Sequence, residues 1–416
     1  MLKTLGCKTN AIEGQIIASS LKGAGYVQCE DFCDADFFIL NSCSVTSHSD
    51  SQSAYLLNRA KRENPDIVNI LTGCVAQTID LHKDFDIQNA DIILGNNEKL
   101  NIVDYLDKNG SKFVCDIFSI NEFNNKTIIN PYQTRPSIKI QEGCNNRCSY
   151  CIIPYARGNS RSNSAENVIS QIELLAQSGT KEVVLTGIHI GQWGLEFNLG
   201  LVDLLKEIEK TSISRYRLGS LYVNEIDDKM LEFLKSSEKF CPHFHLSLQS
   251  LCDKTLKNMN RHYGSSFALE LIDKLYNSFD EPYLGCDIIA GFPDEQDLDF
   301  EITYNNLKSS KLSYIHAFPY SKRENTPAAK MKNQICDTVK TKRTQKLLEL
   351  SDALHKSFLE RNKNKTLELL YERKSKKTGL YSAVSRNYIK VFIKDERDDL
   401  RNTLELRNMS DFDKLY

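Results

Sequence analysis

Three cysteines in one short run carry the most informative chemistry of this 416-residue sequence. Cys144, Cys148 and Cys151 have the spacing CxxxCxxC, and no histidine or fourth cysteine lies close to them. Cysteine thiolates hold the irons of a cubane iron–sulfur cluster, normally one thiolate per iron. Three ligands for four irons leave one iron open to something other than protein, whereas a structural zinc site is closed by four ligands. The run therefore predicts an iron–sulfur site with one open iron.

A second set of three cysteines is spread over the first 74 residues. Cys7, Cys43 and Cys74 each follow directly after a predicted strand. Ligands collect outside the carboxyl ends of the strands of an open parallel sheet, so these thiols are expected to converge at one edge. We predict a second three-thiolate cluster there. Cys29 and Cys33 precede a strand, and we interpret them as non-ligands.

The first 125 residues alternate strand-like and helix-like segments, which predicts an α/β unit with a parallel sheet. The predicted strands are Leu2–Leu5, Phe37–Leu40, Val68–Thr72 and Ile92–Leu94, and the predicted helices are Ile12–Lys22 and Asp50–Glu63. A polar stretch, Asn121–Arg135, is the predicted linker to the next unit.

A second alternation predicts a partial (β/α)6 barrel, whose chemistry sits at the carboxyl ends of its strands. The predicted strands are Ser137–Gln141, Glu182–Thr186, Arg215–Leu218, His243–Leu248, Tyr283–Ile289 and Ser313–Phe318, and helices are expected to start near Ser164, Gly200, Ile226, Ser265 and Glu295. The first of these strands leads into Cys144, so the cluster loop is expected at the chemically active face of the barrel.

The sequence pattern changes from helical to strand-like after a lysine-rich helical segment, Asp337–Lys363, and the residues that follow form the tail. Its short strand-like runs predict a small β-barrel that ends without a clear final strand. The predicted strands are Leu367–Tyr371, Gly379–Ser385 and Tyr388–Ile393. Residues 322–377 contain sixteen Lys and Arg against seven Asp and Glu, although the formal net charge of the chain is only −2. A local excess of this size favours a polyanionic partner such as a nucleic acid.

Composition and length indicate the class of protein, the number of domains and the location. An apolar content of 41% and a charged content of 26% are ordinary for a globular protein, and the length predicts two or three domains. We predict domains at residues 1–125, 126–363 and 364–416. There is no run of 18 or more apolar residues and no secretion signal at the N-terminus, so we expect no membrane span and a cytoplasmic location. In a reducing compartment the thirteen cysteines would be thiols and metal ligands.

With both cysteine triads in place, and Tyr150 just before the last cysteine of the loop, the chain resembles the radical S-adenosylmethionine (SAM) methylthiotransferases over essentially its whole length. The resemblance implies a transferase with two [4Fe-4S] clusters and SAM as cofactors, and a tail that is an RNA-binding TRAM domain. In that family the open iron of the loop cluster binds SAM, and an auxiliary cluster supplies the sulfur. Both clusters must then face one cavity, because the substrate radical has to meet the sulfur.

The resemblance also implies which residues contact SAM. These are expected to be Tyr150, Gly187, Ser247, Gln249 and Gly291. Beyond the cluster ligands it implies no catalytic side chain.

Two arginines follow the cluster loop. Arg157 and Arg161 could bind a phosphate or the SAM carboxylate, or could brace the loop against acidic neighbours. The sequence alone leaves these two alternatives open.

Two runs resemble the subclass that acts on N6-threonylcarbamoyladenosine in the anticodon stem-loop of tRNA. They are Thr4–Asn10 and Thr186–Gly191. The resemblance implies tRNA and an electron donor such as flavodoxin or ferredoxin as partners, and we expect a monomer. Tyr222 and Leu251 stand where that family usually has glutamate and glycine, which bears on the exact substrate.

Other functions stay open at this point. Isopentenyladenosine in tRNA, or an aspartate of a ribosomal protein, could be the methylthiolated group. A non-enzymatic iron–sulfur protein that binds RNA or carries electrons would also explain the clusters and the charge. It would not explain why both triads lack a fourth ligand, since a pure electron carrier is usually fully thiolate-ligated.

Overall fold

A computed structural model describes residues 1–81, 87–108, 110–126, 133–412 and 414–416. It confirms the predicted mixed α/β fold, which consists of an N-terminal parallel sheet, a central partial barrel and a C-terminal antiparallel sheet. None of the helices in these ranges is both long enough and apolar enough to cross a membrane. The predicted linker Asn121–Arg135 lies partly outside the described residues.

The N-terminal sheet has five parallel strands in sequence order. The strands are β1 (Leu2–Thr4), β2 (Phe37–Ser42), β3 (Val68–Gly73), β4 (Ile92–Leu94) and β5 (Ser111–Phe113), and the helices are α1 (Lys8–Gly23), α2 (Ser47–Glu63) and α3 (Cys74–Gln77). The central strands β2 and β3 are buried over nearly their whole length, as expected when helices cover both faces of a parallel sheet.

Two details of this sheet differ from the prediction. Helix α1 begins at Lys8 and not at Ile12, because Cys7 in extended conformation is its N-cap and the first turn contains no apolar signal. Strand β5 was not predicted, because it is a three-residue edge strand with an exposed lysine at its centre.

The partial barrel consists of parallel strands in two sheets, with strand orders β10-β9-β6 and β11-β12-β13-β14. Its strands are β6 (Ser137–Lys139), β7 (Gln141–Glu142), β8 (Arg161–Ser162), β9 (Glu182–Thr186), β10 (Arg215–Leu218), β11 (Ser220–Leu221), β12 (His243–Gln249), β13 (Tyr283–Ala290) and β14 (Tyr314–Pro319). Its helices are α4 (Ile153–Arg157), α5 (Ala165–Gln177), α6 (Leu201–Glu209), α7 (Asp228–Ser236), α8 (Asp253–Asn258), α9 (Ser265–Ser278), α10 (Asp297–Ser309) and α11 (Asp337–Asn362). The six predicted strands are confirmed, except that the first is divided into β6 and β7, and β7 pairs with β8 in antiparallel fashion.

The tail folds into a four-stranded antiparallel sheet, which is compatible with a small barrel. Its strands are β15 (Thr366–Lys374), β16 (Tyr381–Ser385), β17 (Lys390–Ile393) and β18 (Leu404–Asn408). The expectation of a tail without a final strand was wrong, because β18 pairs with β15 along its whole length. Its sequence, Leu-Glu-Leu-Arg-Asn, leaves much of the strand solvent-accessible and gives only a weak strand signal.

Two arginines of the barrel hold the C-terminal sheet in place through hydrogen bonds. Glu182 is fully buried and accepts hydrogen bonds from Arg215 Nε at 2.6 Å and Arg217 Nε at 2.7 Å. Arg215 Nη2 and both Nη atoms of Arg217 donate to the backbone carbonyls of residues 384–386, and Arg215 Nη1 donates to Glu368. Because Glu182 and Arg215 begin their strands, the tail docks at the end of the barrel opposite the strand carboxyl ends.

Candidate iron–sulfur and SAM site

The loop that bears Cys144, Cys148 and Cys151 follows strand β7 at the carboxyl-end face of the barrel. Gly143 begins the loop with a φ of +72°, and a Cβ atom there would lie 1.9 Å from the carbonyl oxygen of Asn159. Only glycine can take that conformation in that space without moving the backbone. Cys144 and Cys148 are buried, and Cys151 is partly buried.

Polar groups from two strand ends and from the segment between helices α8 and α9 contact the sulfurs of this loop. His189 Nδ1 lies 3.3 Å from Cys144 Sγ. Tyr222 Oη and Arg261 Nη1 each lie 3.5 Å from Cys148 Sγ. The Tyr222 ring lies between the other two side chains: its centroid is 4.2 Å from that of His189, and the guanidinium carbon of Arg261 is 3.8 Å above it.

These three residues were not among the predicted site residues. His189 lies in the run Thr186–Gly191, and Tyr222 is one of the departures from the family. Both follow the carboxyl end of a barrel strand, so the rule that locates chemistry at that face could have identified them. Arg261 lies between helices α8 and α9, where that rule gives no signal.

The second triad lies where the strand-end argument predicted. Cys7 follows β1, Cys43 follows β2 and Cys74 begins α3 directly after β3. A Cβ atom on Gly6 would lie 2.5 Å from Cys43 Sγ, so glycine gives this thiol its space. Cys33 lies elsewhere, with its Sγ 3.7 Å from the carbonyl oxygen of Glu63.

The electrostatics of both triads fit thiols that share one environment. Burial, together with the neighbouring Cys74 and Cys7, raises the pKa of Cys43 to about 11. Burial likewise raises the pKa of Cys151 to about 12, with contributions from Cys148 and Cys144. Such thiols ionise when a metal binds them, because a coordinating thiol is deprotonated outright.

The donor sets suit an iron–sulfur cluster. Each triad offers three cysteine thiols, and thiolates ligate the irons of a cubane one each. The donor sets therefore fit [4Fe-4S] clusters.

Arg157 connects the segment after the cysteine loop to the second triad. It is buried six residues after Cys151, and its Nε donates to Cys74 Sγ at 3.3 Å. Its Nη1 donates to Glu13 at 2.7 Å and its Nη2 to Asn10 at 2.5 Å, both on helix α1. The structure thus decides between the two alternatives for this arginine: it braces the cluster loop against acidic and polar neighbours.

Glu13 is the centre of a buried charge network between the sheet and the barrel. Lys99 Nζ lies 2.6 Å, and Lys139 Nζ 2.7 Å, from its carboxylate. Burial opposes the charge on Glu13, but Arg157, Lys139 and Lys99 together hold the pKa of this carboxyl well below its usual value. Arg161 has a different environment: its Nη1 donates to the backbone carbonyls of Arg157 and Asn159.

The predicted SAM contacts fall into two groups. Tyr150 packs edge-on against Phe292, with 6.5 Å between ring centroids, directly beside Gly291. Gly291 has a φ of +72° in the turn after β13. This is the neighbourhood in which the aromatic face of Tyr150 could meet an adenine.

The other predicted contacts line the strand ends. A Cβ atom on Gly187 would lie 2.8 Å from the carbonyl oxygen of Gln141, so a side chain there would collide with the first barrel strand. The carbonyl of Ser247 accepts hydrogen bonds from Arg261 Nη2 and, at 3.3 Å, from the Tyr263 hydroxyl. Gln249 ends β12 in the left-handed conformation, with a φ of +65°.

Leu251 is fully buried in the core between the barrel strands and helices. Its carbonyl accepts a hydrogen bond from Asn306 Nδ2 at 2.8 Å, which ties the turn after β12 to helix α10. The residue contributes to packing, and no contact in the structure links it to the cluster loop.

Two family models match the chain. Residues 138–307 match the radical SAM superfamily, and residues 1–95 match uncharacterized protein family UPF0004. Among solved structures, the radical SAM methyltransferase TsrM from Kitasatospora setae, with cobalamin and a [4Fe-4S] cluster bound, has a similar fold. Its TM-score is 0.55 at 12% identity, over 79% of this chain and 76% of that one.

Curated relatives are similar over nearly the whole chain. The threonylcarbamoyladenosine tRNA methylthiotransferase MtaB of Bacillus subtilis is 36% identical over 97% of this chain and 92% of its own length. MtaB of Aquifex aeolicus is 37% identical over 88% of this chain and 91% of its own length. The tRNA-2-methylthio-N(6)-dimethylallyladenosine synthase of Clostridium botulinum is 32% identical over 90% of this chain and 86% of its own length.

These matches, together with the cysteine loop at the barrel mouth, make SAM and iron–sulfur chemistry the cofactor chemistry of this chain. The chain belongs to the radical SAM methylthiotransferases, enzymes that transfer a methylthio group.

Proposed function

We propose that this enzyme inserts a methylthio group at carbon 2 of N6-threonylcarbamoyladenosine next to the anticodon of tRNA. Two relatives that are 36% and 37% identical to this chain carry that activity in their names, and the dimethylallyl relative is 32% identical. The observation that carries the reaction type is the hydrogen bond from Arg157, which follows the cysteine loop, to Cys74 Sγ of the second triad, since methylthio transfer needs a radical and a sulfur source close together.

We assign each cluster to one triad. Cys144, Cys148 and Cys151 would hold the cluster that binds SAM, and Cys7, Cys43 and Cys74 would hold an auxiliary cluster, in units spanning residues 126–363 and 1–125. When bound, the clusters and SAM supply the radical and the sulfur, chemistry that no side chain can supply. Each triad offers three thiols for the four irons of a cubane, so one iron could bind SAM or a sulfur species. This count supports the assignment, because a closed site could bind neither.

The side chains of the site would bind, orient and exclude water. Tyr150 would cover the adenine of SAM, while Gly187, Ser247, Gln249 and Gly291 would line the rest of its site. Glu13 and Arg157 form a buried ion pair beside Cys74, in which each satisfies the other's charge.

Basic residues line the cavity that we propose for the substrate. A cavity of about 530 Å³ is lined by residues of the N-terminal sheet, the barrel and the tail, among them Lys8, Arg135 and Arg373. Lys8 follows Cys7 directly. An exposed turn beside this cavity carries Lys374, Lys376 and Lys377 at the tip of the β15–β16 hairpin. This arrangement supports the binding of an RNA backbone by the tail, residues 364–416, with the modified base directed toward the triads.

We also propose that the enzyme acts as a monomer in the cytoplasm and receives electrons from a small carrier such as flavodoxin or ferredoxin. All thirteen cysteines are free thiols, as a reducing compartment requires. Size-exclusion chromatography with light scattering tests the monomer, and SAM cleavage driven by each purified carrier tests the donor.

Mass spectrometry of tRNA nucleosides tests the substrate. Cells that lack this gene should lose the methylthio form of threonylcarbamoyladenosine, and the intact gene should restore it. Loss of the methylthio isopentenyl nucleoside instead would assign the enzyme to the other tRNA subclass. An unchanged nucleoside profile would contradict a tRNA substrate.

Cysteine substitution tests the auxiliary cluster. Changing Cys7, Cys43 and Cys74 together to Ala should remove about half of the iron of the reconstituted protein, because each triad would bind one cubane. Methylthio transfer should be abolished, while dithionite-driven cleavage of SAM to 5′-deoxyadenosine should remain. The Cys29→Ala/Cys33→Ala protein is the matched control and should keep its iron. Full iron content in the triple variant would contradict the assignment.

A further inference from the structure

Three titratable side chains face one another inside the barrel, apart from the cysteine triads. His245, Asp287 and His316 lie on the adjacent parallel strands β12, β13 and β14. In the strand register, Asp287 is directly opposite His316, and His245 is opposite Gly285. Their sequence neighbours Phe244, Leu246, Cys286, Ile288 and Ile315 are buried in the core between strands and helices. Because side chains alternate across a strand, the three polar groups point to the opposite side, into the barrel interior.

Their ligand atoms are close together. His245 Nε2 lies 2.9 Å, and His316 Nδ1 3.6 Å, from Asp287 Oδ1. One nitrogen or oxygen from each residue lies within 4.8 Å of the others, and no other group of three His, Cys, Asp or Glu in the described part of the chain meets this distance. A Cβ atom on residue 285 would lie 3.2 Å from His245 Nδ1, so Gly285 leaves the imidazole its room.

The donor atoms of the group suit a metal cation. Two imidazoles and one carboxylate are a donor set that zinc, iron and other divalent transition metals accept, and sites with three protein ligands keep a position open.

The group is open on one side. About half of the His316 side chain surface is exposed, whereas Asp287 and His245 are mostly covered. Ser247, a predicted SAM contact, lies two residues farther along β12, which is about 7 Å at the rise of a strand. An ion held by the three residues would thus lie about 7 Å from the proposed SAM site along the strands, with its open coordination position toward the barrel interior.

We propose that His245, Asp287 and His316 bind one divalent transition-metal ion, with zinc as the probe of choice, at a site distinct from both cysteine triads. Two imidazole nitrogens and one carboxylate oxygen are its protein ligands, and at least one coordination position faces the barrel interior. This inference does not rest on the proposed tRNA substrate.

Metal analysis of the reconstituted full-length protein tests the site. After anaerobic dialysis against zinc chloride, the protein should retain about one zinc ion per chain in addition to its iron, as expected for one three-ligand site. Asp287→Asn and His316→Ala should each lower retained zinc at least tenfold and leave iron and sulfide unchanged. His262→Ala, which removes an exposed histidine outside the group, is the control and should keep its zinc. Asp287→Asn preserves the side-chain volume, and unchanged iron content shows that each variant is folded.

The zinc absorption edge separates this site from the cysteines. The spectrum should show nitrogen and oxygen ligands, two of them imidazoles, and no sulfur. Sulfur ligands, or zinc taken up only as iron is lost, would mean that zinc occupies the triads and would overturn the proposal. Failure of the wild-type protein to retain zinc would also overturn it, as would zinc retention in both variants. If the variants raised the KM for threonylcarbamoyladenosine RNA while no zinc bound, the group would be a hydrogen-bonded substrate contact and the metal site would be rejected.

Discussion

At the scale of single residues, the contacts of Tyr222 bear on the proposed cluster of the cysteine loop. Tyr222 stands where the family usually has glutamate, and its hydroxyl lies 3.5 Å from Cys148 Sγ. The ring is fixed between His189 and the guanidinium of Arg261. Hydrogen bonds to cluster sulfurs are one of the ways in which a protein sets a cluster's reduction potential.

Tyr222→Phe should therefore lower the reduction potential of the cluster held by the loop. A donor to the sulfur stabilises the more negative reduced state, and the loss of one hydrogen bond of about 1 kcal/mol corresponds to tens of millivolts. The midpoint from a dithionite titration followed by electron paramagnetic resonance measures the effect. Tyr320→Phe is the control, because the buried hydroxyl of Tyr320 makes no hydrogen bond in the described structure. Equal midpoints for Tyr222→Phe and wild type would contradict the prediction.

At the scale of elements, the contact that matters most joins helix α4 of the barrel to helices α1 and α3 of the N-terminal sheet. All three guanidinium nitrogens of Arg157 donate across this contact, to Cys74, Glu13 and Asn10, and the side chain is buried. Glu13 and Glu142 face it, so its loss would leave buried carboxylates with fewer partners.

Arg157→Met should destabilise the protein strongly. Removing one member of a buried ion pair typically costs about 3 kcal/mol, because the remaining charge stays buried. Chemical denaturation of the apo protein followed by circular dichroism measures the free energy of unfolding. Arg59→Met is the control, since Arg59 pairs with Glu63 on the surface, where such pairs contribute little. Equal losses in the two variants would show that Arg157 does not carry the contact.

The element scale also shows what the sequence could predict. The cysteines were found because strand ends are recognisable from local apolar runs, and the topology of a parallel sheet brings those ends together. The partners of Arg157 could not be found, because Glu13 is 144 residues away and no local pattern encodes that pairing. Strands β5 and β18 were missed for a different reason: at an edge, pairing stabilises segments with too little apolar surface to give a signal.

At the scale of the whole molecule, the two ends of the barrel carry different chemical groups. The carboxyl ends of the strands bear the cysteines, and the opposite end holds Glu182 among Arg135, Arg215 and Arg217 beneath the tail. Burial raises the pKa of Glu182, but the three arginines outweigh burial and keep it below the ordinary value of 4.5.

The stability of the assembled molecule should therefore fall in acid. A carboxyl whose folded pKa is lowered contributes stability that is present above its unfolded pKa and is lost as pH falls through the folded value. Glu182→Gln should lower the thermal midpoint at neutral pH, and its difference from wild type should shrink below pH 4.5. Glu207→Gln, at an exposed pair with Lys210, is the control and should track wild type throughout. A difference that grows in acid would contradict the sign.

The way in which the tail is seated has a consequence for how such enzymes diversify. Beside one contact with the Glu368 side chain, Arg215 and Arg217 donate to main-chain carbonyls of residues 384–386, atoms that every amino acid possesses. Side chains elsewhere on the tail can therefore change without loss of these hydrogen bonds, so the exposed surface of the tail can diverge while its attachment to the barrel is kept.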